Sequence, residues 1–278
     1  MMTAIDLIED LSVRPLTPTF GAEIRGIDLS RPVQEREAQQ LQALFREYQL
    51  LLFRNQALTP EEQGRFGEVF GRIELREHNK VKPASIYEQT VSNVREDGVF
   101  GRGEMSFHMD QIFYQEPLNA LILYGIQIPP EGGDTCFCDT SAVHDEMPTA
   151  LKEKLGRITC HYRRDYDSET AERYNVSMAE ETRVSAVHPL VMKDEETGRT
   201  CLWVTGSQMK GGILGVPEEE GRALIAEVRR RIETTDAVYR HRWQPGDLVL
   251  WNNRTLQHAR THFDPSHART LRRTGLLW

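Results

Sequence analysis

RWQPGDLVLWNNRTLQHAR, Arg242 to Arg260, carries three signals in one stretch. Gln244-Pro245-Gly246 reads as a turn, Asp247 to Trp251 (DLVLW) reads as a strand, and His258 follows shortly after that strand. The same strand character recurs on either side. Leu118 to Ile128 is rich in Leu, Ile and Tyr and stops at Pro129-Pro130; Thr200 to Thr205 (TCLWVT) is a second run, and Thr270 to Trp278 a third. Helical signals are fewer. Glu35 to Tyr48 spaces Leu41, Leu44, Phe45 and Tyr48 on one apolar face, and Thr59-Pro60-Glu61-Glu62 is a capping box with proline at the first helical position. A third helix follows Val216-Pro217, with Leu224, Ile225, Val228 and Ile232 inward, and a shorter one runs from about Pro148 to Leu155. Strands scattered between few helices, without a regular βαβ alternation, predict a mainly β chain with flanking helices, an antiparallel sandwich or jelly roll rather than a doubly wound sheet. No repeat or long linker divides the sequence, so residues 1–278 read as one domain.

Composition narrows the partners. A net charge of −8 argues against nucleic acid and anionic membrane surfaces, which favour a basic face. No apolar run approaches the roughly 18 residues that span a bilayer. The start, MMTAIDLIEDLSVRP, carries acids where a signal peptide needs a basic, then apolar, stretch, so the expected location is cytoplasmic and the expected partner a small molecule; a homo-oligomer stays open. Cys136 and Cys138, the only close cysteine pair, lack the spacing of a zinc knuckle, and all four cysteines read as reduced thiols.

Two imidazoles and one carboxylate on one face of an octahedron are what mononuclear non-haem iron needs for oxygen chemistry. A His-x-Asp pair on a strand suits this, because residues i and i+2 point the same way. With nine histidines and 42 acids, chance alone yields on the order of one such triplet. Three occur: His108-Met109-Asp110, His144-Asp145-Glu146 and His262-Phe263-Asp264. His144 sits at the approach to a helix, where i and i+2 diverge, and only His267 follows His262. His108 stands before a strand-like run, and a closed sandwich could bring it to His258, 150 residues on. Taken alone, His108-Asp110 reads better as a solvated surface pair; the surrounding sequence reverses that.

The chain resembles the taurine dioxygenase (TauD/TfdA) family of 2-oxoglutarate-dependent oxygenases nearly end to end. The resemblance is carried in order by LTPTFGAEIRGIDLSRP (Leu16 to Pro32), YQLLLFRNQALTPEEQGRFGEVFG (Tyr48 to Gly71), FHMDQIF around His108, PPEGGDT (Pro129 to Thr135), HPLVMKDEETGRTCLWV (His188 to Val204) and the opening stretch to Arg260. It implies a double-stranded β-helix, with iron(II) on His108, Asp110 and His258, and with 2-oxoglutarate and O2 as cosubstrates. It further implies that Thr135 and Arg269 hold the distal carboxylate of 2-oxoglutarate and that Arg273 reaches an acidic group on the substrate. A planar guanidinium fork suits a carboxylate in a way lysine cannot match. His188, beside Pro189, reads as structural. Glu104 stands where taurine-type enzymes carry a neutral amide, and Glu74 to His78 does not match their sulfonate-contacting stretch, so taurine is not carried over as substrate.

The reaction so implied is oxidation, foremost hydroxylation, of a small polar substrate, acidic or amino-acid-like, with release of succinate and CO2. Asp110 argues against halogenation, since halide would need its coordination place. Desaturation or carbon–heteroatom cleavage stays open, as do a zinc or manganese enzyme with the same ligands and a catalytically silent jelly-roll binding protein. The polar segment Tyr162 to Arg183 lies where the family has a mobile lid.

Overall fold

The computed structural model describes residues 11–76, 85–179, 183–205, 208–209 and 211–278. The acidic first ten residues, Glu77, His78 and residues 180–182 lie outside them.

Why LLLF forms a wholly buried strand explains the architecture. In Leu50–Phe53, Leu51 and Phe53 point to one core while Leu50 and Leu52 point to another. The neighbouring strands divide the same way. Ile122, Tyr124, Leu248 and Leu250 join the first core; Leu121, Leu123, Val249 and Trp251 join the second. Strands apolar on both faces need cover on both faces. Outside, the cover is the helices Glu35–Tyr48 and Pro60–Glu68, through Leu41, Leu44, Phe45 and Phe66. Inside, it is a second sheet.

Among the described residues the main sheet has nine strands. Its path runs Ser12–Pro15, Ala22–Arg25, Leu50–Phe53, Leu248–Asn252, Ala120–Gln127, Thr270–Leu277, Gln89–Ser92 and Val99–Phe100, with Arg72–Ile73 also pairing to Thr270–Leu277. All its pairings are antiparallel except Ala22–Arg25 with Leu50–Phe53 and Gln89–Ser92 with Val99–Phe100. The facing sheet has the order Val238–His241, Thr135–Asp139, Leu256–Arg260, Met105–His108, and contributes Phe137 and Leu256 to the shared core. This is the predicted sandwich with flanking helices. The helix Glu218–Thr234 packs Val228 and Ile232 into a third cluster with Tyr162, Trp203 and Val204.

The expected capping box at Thr59 is present, and a second stands at the start of the preceding helix. Thr59 accepts from the Glu62 amide and Glu62 returns a bond to Thr59; Gln34 and Glu37 do the same one helix earlier. The expected strand at Thr200 to Thr205 is shorter, Thr200–Leu202, in a hairpin with Val191–Lys193. His144 lies inside the helix Thr140–Asp145. Among the described residues no helix is long and apolar enough to cross a membrane. All four cysteines are free thiols.

Candidate metal centre and its two cavities

His108 ends the strand Met105–His108 and stands directly opposite His258 in Leu256–Arg260. Antiparallel pairing thus makes neighbours of two histidines far apart in sequence, their ring centroids 4.2 Å apart. One correction concerns Asp110. The strand stops at His108, so Asp110 is not brought round by i, i+2 alternation. A turn carries it instead, with Gln111 in the left-handed region (φ 58°). Asn253, fully buried just past Leu248–Asn252, clamps that turn: its Oδ1 accepts from the Asp110 amide (2.9 Å), and its Nδ2 donates to the carbonyls of Asp110 and Leu118 (both 3.0 Å).

Asp110 Oδ1 then lies 3.4 Å from His108 Nε2 and 3.7 Å from His258 Nε2. One ligand atom from each of the three residues falls within 4.8 Å of the others, the only such cluster among the described residues. His144 and His262 do not join it.

The protonation states suit a cation. His108 Nδ1 sits 2.9 Å from the Ser106 carbonyl, which fixes the N–H there and leaves Nε2 with its lone pair toward Asp110. His258 is held by packing, with Trp251 at 5.0 Å on one side and His108 on another. Burial, then the neighbouring His108, pushes its pKa down to about 3, so it is neutral at ordinary pH. Burial alone would raise the Asp110 carboxyl. The Arg273 guanidinium, 3.0 Å from Oδ2, overcomes it and holds Asp110 well below the usual carboxylate range. Two imidazoles and one carboxylate are a donor set for a divalent first-row metal.

Two spaces adjoin this triad. The larger, about 710 Å³, is lined by His108, Asp110 and Phe113, by Arg164, Arg173, Arg260 and Arg273, and by Tyr166 and Tyr174. Glu104 also lines it, at an exposed position. The smaller, about 60 Å³, shares the two triad residues and adds His258, Thr135, Arg269 and the apolar Leu121, Leu123, Leu271 and Trp251. The structure therefore brings together all the residues the sequence singled out, but in different settings.

Thr135 opens Thr135–Asp139 and is buried. Arg269 is 2 % exposed, and its Nε and Nη2 both donate to the Gly133 carbonyl (3.0 and 2.9 Å). Gly133 has φ 65°, so the glycine-rich turn supplies that carbonyl from a conformation ill suited to other residues. Among the described residues no carboxylate lies within 4.0 Å of Arg269. Burial, then repulsion from Arg260, pushes its pKa down to about 9. Arg273 shares a strand face with Leu271; its Nε and Nη2 donate to Asp110 Oδ2 (3.2 and 3.0 Å) and its Nη1 to Gln89 (3.1 Å). The residue expected at the substrate thus also steadies a triad carboxylate. Arg272 faces the opposite side, bonded to Gln63 and the Leu58 carbonyl.

Sequence reasoning missed Asn253 and Arg260. Arg260, 6 % exposed, spends its guanidinium on the carbonyls of Phe100, Arg102 and Gly103, tying the stretch before Glu104 to the strand that carries His258. In the segment Tyr162 to Arg183 the helix Ser168–Tyr174 presents Thr170, Arg173 and Tyr174 to the larger cavity. His188 is structural as read, its Nε2 2.9 Å from the Tyr114 carbonyl.

Comparison with known proteins places this geometry. Residues 12–274 match the model of the taurine catabolism dioxygenase TauD, TfdA family. The alpha-ketoglutarate-dependent 2,4-dichlorophenoxyacetate dioxygenase of Cupriavidus pinatubonensis is 30% identical, over 95% of this chain and 96% of its own. The alkylsulfatase of Acinetobacter baylyi is 29% identical, over 96% and 85%. Among solved structures, a taurine dioxygenase from Burkholderia xenovorans superposes with a TM-score of 0.79 at 25% identity, covering 96% of this chain and 90% of that one. AAD-2 in complex with Mn(II) and N-oxalylglycine superposes at 0.76 with 25% identity, covering 96% of each. With its fold, its two histidines and aspartate, and 263 consecutive residues matched, the chain belongs to the TauD, TfdA family of dioxygenases.

Proposed function

We infer that this chain is an iron(II)- and 2-oxoglutarate-dependent dioxygenase, acting as one domain, that hydroxylates a small organic anion. In this reading His108, Asp110 and His258 hold the metal, Thr135 and Arg269 receive the distal carboxylate of 2-oxoglutarate, and the larger cavity takes the substrate. The observation that carries it is the shared wall: His108 and Asp110 border both spaces, so two ligands can meet at one metal ion.

Bound iron(II) supplies oxygen activation coupled to conversion of 2-oxoglutarate to succinate and CO2. The chain's residues supply the rest. Burial keeps His258 neutral, so its nitrogen is free to bind a cation without first losing a proton. Arg273 occupies Asp110 Oδ2 and leaves Oδ1 toward the histidines. Leu121, Leu123, Leu271 and Trp251 keep the smaller space apolar, which strengthens every charge contact made there.

The substrate class follows from the cavity's charge. Arg164, Arg173, Arg260 and Arg273 line it against Glu104, Asp110 and Glu233, with Phe113, Tyr166 and Tyr174 offering an apolar wall. A carboxylate or sulfate carried on an aromatic or alkyl body matches both, and relatives named for phenoxyacetate and sulfate-ester substrates support this choice. The test is succinate release from 2-oxoglutarate under air with iron(II) and ascorbate, screened over aryloxy and alkyl carboxylates, sulfate esters and amino acids. Stimulation by organic anions, lost in His258→Ala, is expected. If amino acids alone stimulate turnover, the anion reading is wrong. If neither chain makes succinate, the dioxygenase reading is wrong.

A further inference from the structure

We propose that Trp243 is a positioning residue for the cosubstrate: its indole N–H, bonded to Thr135 Oγ1, fixes Thr135 as a hydrogen-bond donor into the smaller cavity. The proposal rests on the reading above that this cavity takes 2-oxoglutarate. Trp243 Nε1 lies 2.9 Å from Thr135 Oγ1, and both side chains are buried. An indole nitrogen can only donate, whereas a threonine hydroxyl has one proton and two lone pairs. Trp243 therefore takes a lone pair and leaves the proton. Among the described residues that proton has no acceptor, and Thr135 lines the cavity beside Arg269. The hydroxyl presented there is a donor, and a carboxylate is acceptor-only. Thr135 and Arg269 then offer the same sign of partner to one ligand end, which selects an anion over an amide or alcohol group.

The indole is held so that its N–H cannot swing away. Its ring meets the His241 ring edge to face, centroids 4.4 Å apart at 89°. His241 is fully buried opposite Thr135 in the sheet, with Nε2 3.2 Å from Asp247 Oδ2 and Nδ1 3.2 Å from the Tyr239 hydroxyl. The same Asp247 oxygen accepts from Arg54 (2.6 Å) and from the amide of Gln244, the residue after Trp243 (2.8 Å). On the remaining side Gly125 makes room: a Cβ there would come within 2.9 Å of the Gln244 carbonyl and 3.3 Å of the indole.

The test uses the Mn(II)-loaded protein and 2-oxoglutarate affinity measured by calorimetry, so that turnover is not the readout. Trp243→Phe keeps an aromatic ring and removes the N–H together with part of the indole ring; it should weaken 2-oxoglutarate binding roughly 3- to 15-fold, and Thr135→Val roughly 10- to 100-fold. Thr135→Ser, which keeps the hydroxyl, should stay close to the parent. The deciding measurement is the double variant. If Trp243 acts through Thr135, Trp243→Phe adds nothing in the Thr135→Val background. Additive losses, or an unchanged affinity in Trp243→Phe, overturn the proposal while leaving the dioxygenase reading intact; a parent that binds no 2-oxoglutarate overturns both. Should Trp243→Phe fail to fold, the indole N–H resonance of Trp243 in the ligand-free protein decides. It should move markedly in Thr135→Val, and an unmoved resonance refutes the bond.

Discussion

Replacing Arg269 by leucine should separate what this residue costs the fold from what it gives the cosubstrate. The guanidinium is 2 % exposed, and burial pushes its pKa from 12.5 to about 9. At about 1.36 kcal/mol for each pKa unit, keeping the cation there costs the ligand-free protein up to about 5 kcal/mol. Leucine removes that cost. It also orphans the Gly133 carbonyl, which now accepts from Nε and Nη2, at roughly 1–3 kcal/mol. The gain matches or exceeds the loss, so the ligand-free melting temperature should hold or rise. Ligand binding behaves otherwise. Five N–H groups less the two on Gly133 leave the Nη1/Nη2 edge for a carboxylate. Losing one side of a desolvated charge pair costs roughly 2–5 kcal/mol, about 30-fold to several-thousand-fold in affinity. Differential scanning calorimetry with and without 2-oxoglutarate reads both quantities. At 100 times the parent's dissociation constant the ligand should stabilise the Mn(II)-loaded parent by about 2.7 kcal/mol and the variant by less than about 1 kcal/mol. A variant that melts far below the parent yet keeps its ligand shift would refute the reasoning, since Arg269 would then be a structural cation.

Asn253→Ala removes three buried hydrogen bonds around the Asp110 turn, so a loss of roughly 2–4 kcal/mol in stability and weaker metal binding are expected together in denaturation and metal titrations; intact metal affinity would show that the turn holds itself. Arg273→Ala strips the two bonds from Asp110 Oδ2 and should weaken the metal roughly 10- to 100-fold. Equilibrium competition with a chelator measures this, and a change confined to substrate coupling would return Arg273 to a purely substrate role. Acid should destabilise the fold through His188 and His241, both pushed down by burial. Each stays neutral when folded and takes up a proton on unfolding below about pH 6.5, so stability is complete above that value and falls as pH drops, by up to about 1.4 kcal/mol per pH unit for each. A stability profile flat between pH 7 and 5 would contradict it.

What the sequence made legible was local or ordered along the chain. The helix Glu35–Tyr48 follows from apolar spacing, and the start at Pro60 from a capping box. Strand Leu248–Asn252 falls within one residue of its expected place because a proline–glycine turn precedes it. The triad was legible as residue types and spacing, together with the order of the motifs around it. The support of the triad was not. Asn253 and Arg260 act on backbone atoms 135 or more residues away, and asparagine after a strand looks like a turn residue until its partners are known. Asp110 was read as a strand residue because alternation is the simplest geometry, whereas its position depends on that remote clamp. The donor polarity of Thr135 belongs to the same class: neither threonine nor tryptophan announces it, and only their 2.9 Å approach does.

The placement of Thr270–Leu277 between Ala120–Gln127 and Gln89–Ser92 has a kinetic consequence. This strand pairs on both edges with segments roughly 150 and 180 residues earlier, and it carries Arg273 and adjoins Arg269. Until it inserts, both neighbours present unpaired backbone edges, and closing such long loops is slow. Refolding should therefore pass through a collapsed state with open sheet edges, prone to association at high protein concentration. Dilute refolding, or a co-solvent that suppresses edge pairing, should raise the yield of protein able to take up metal.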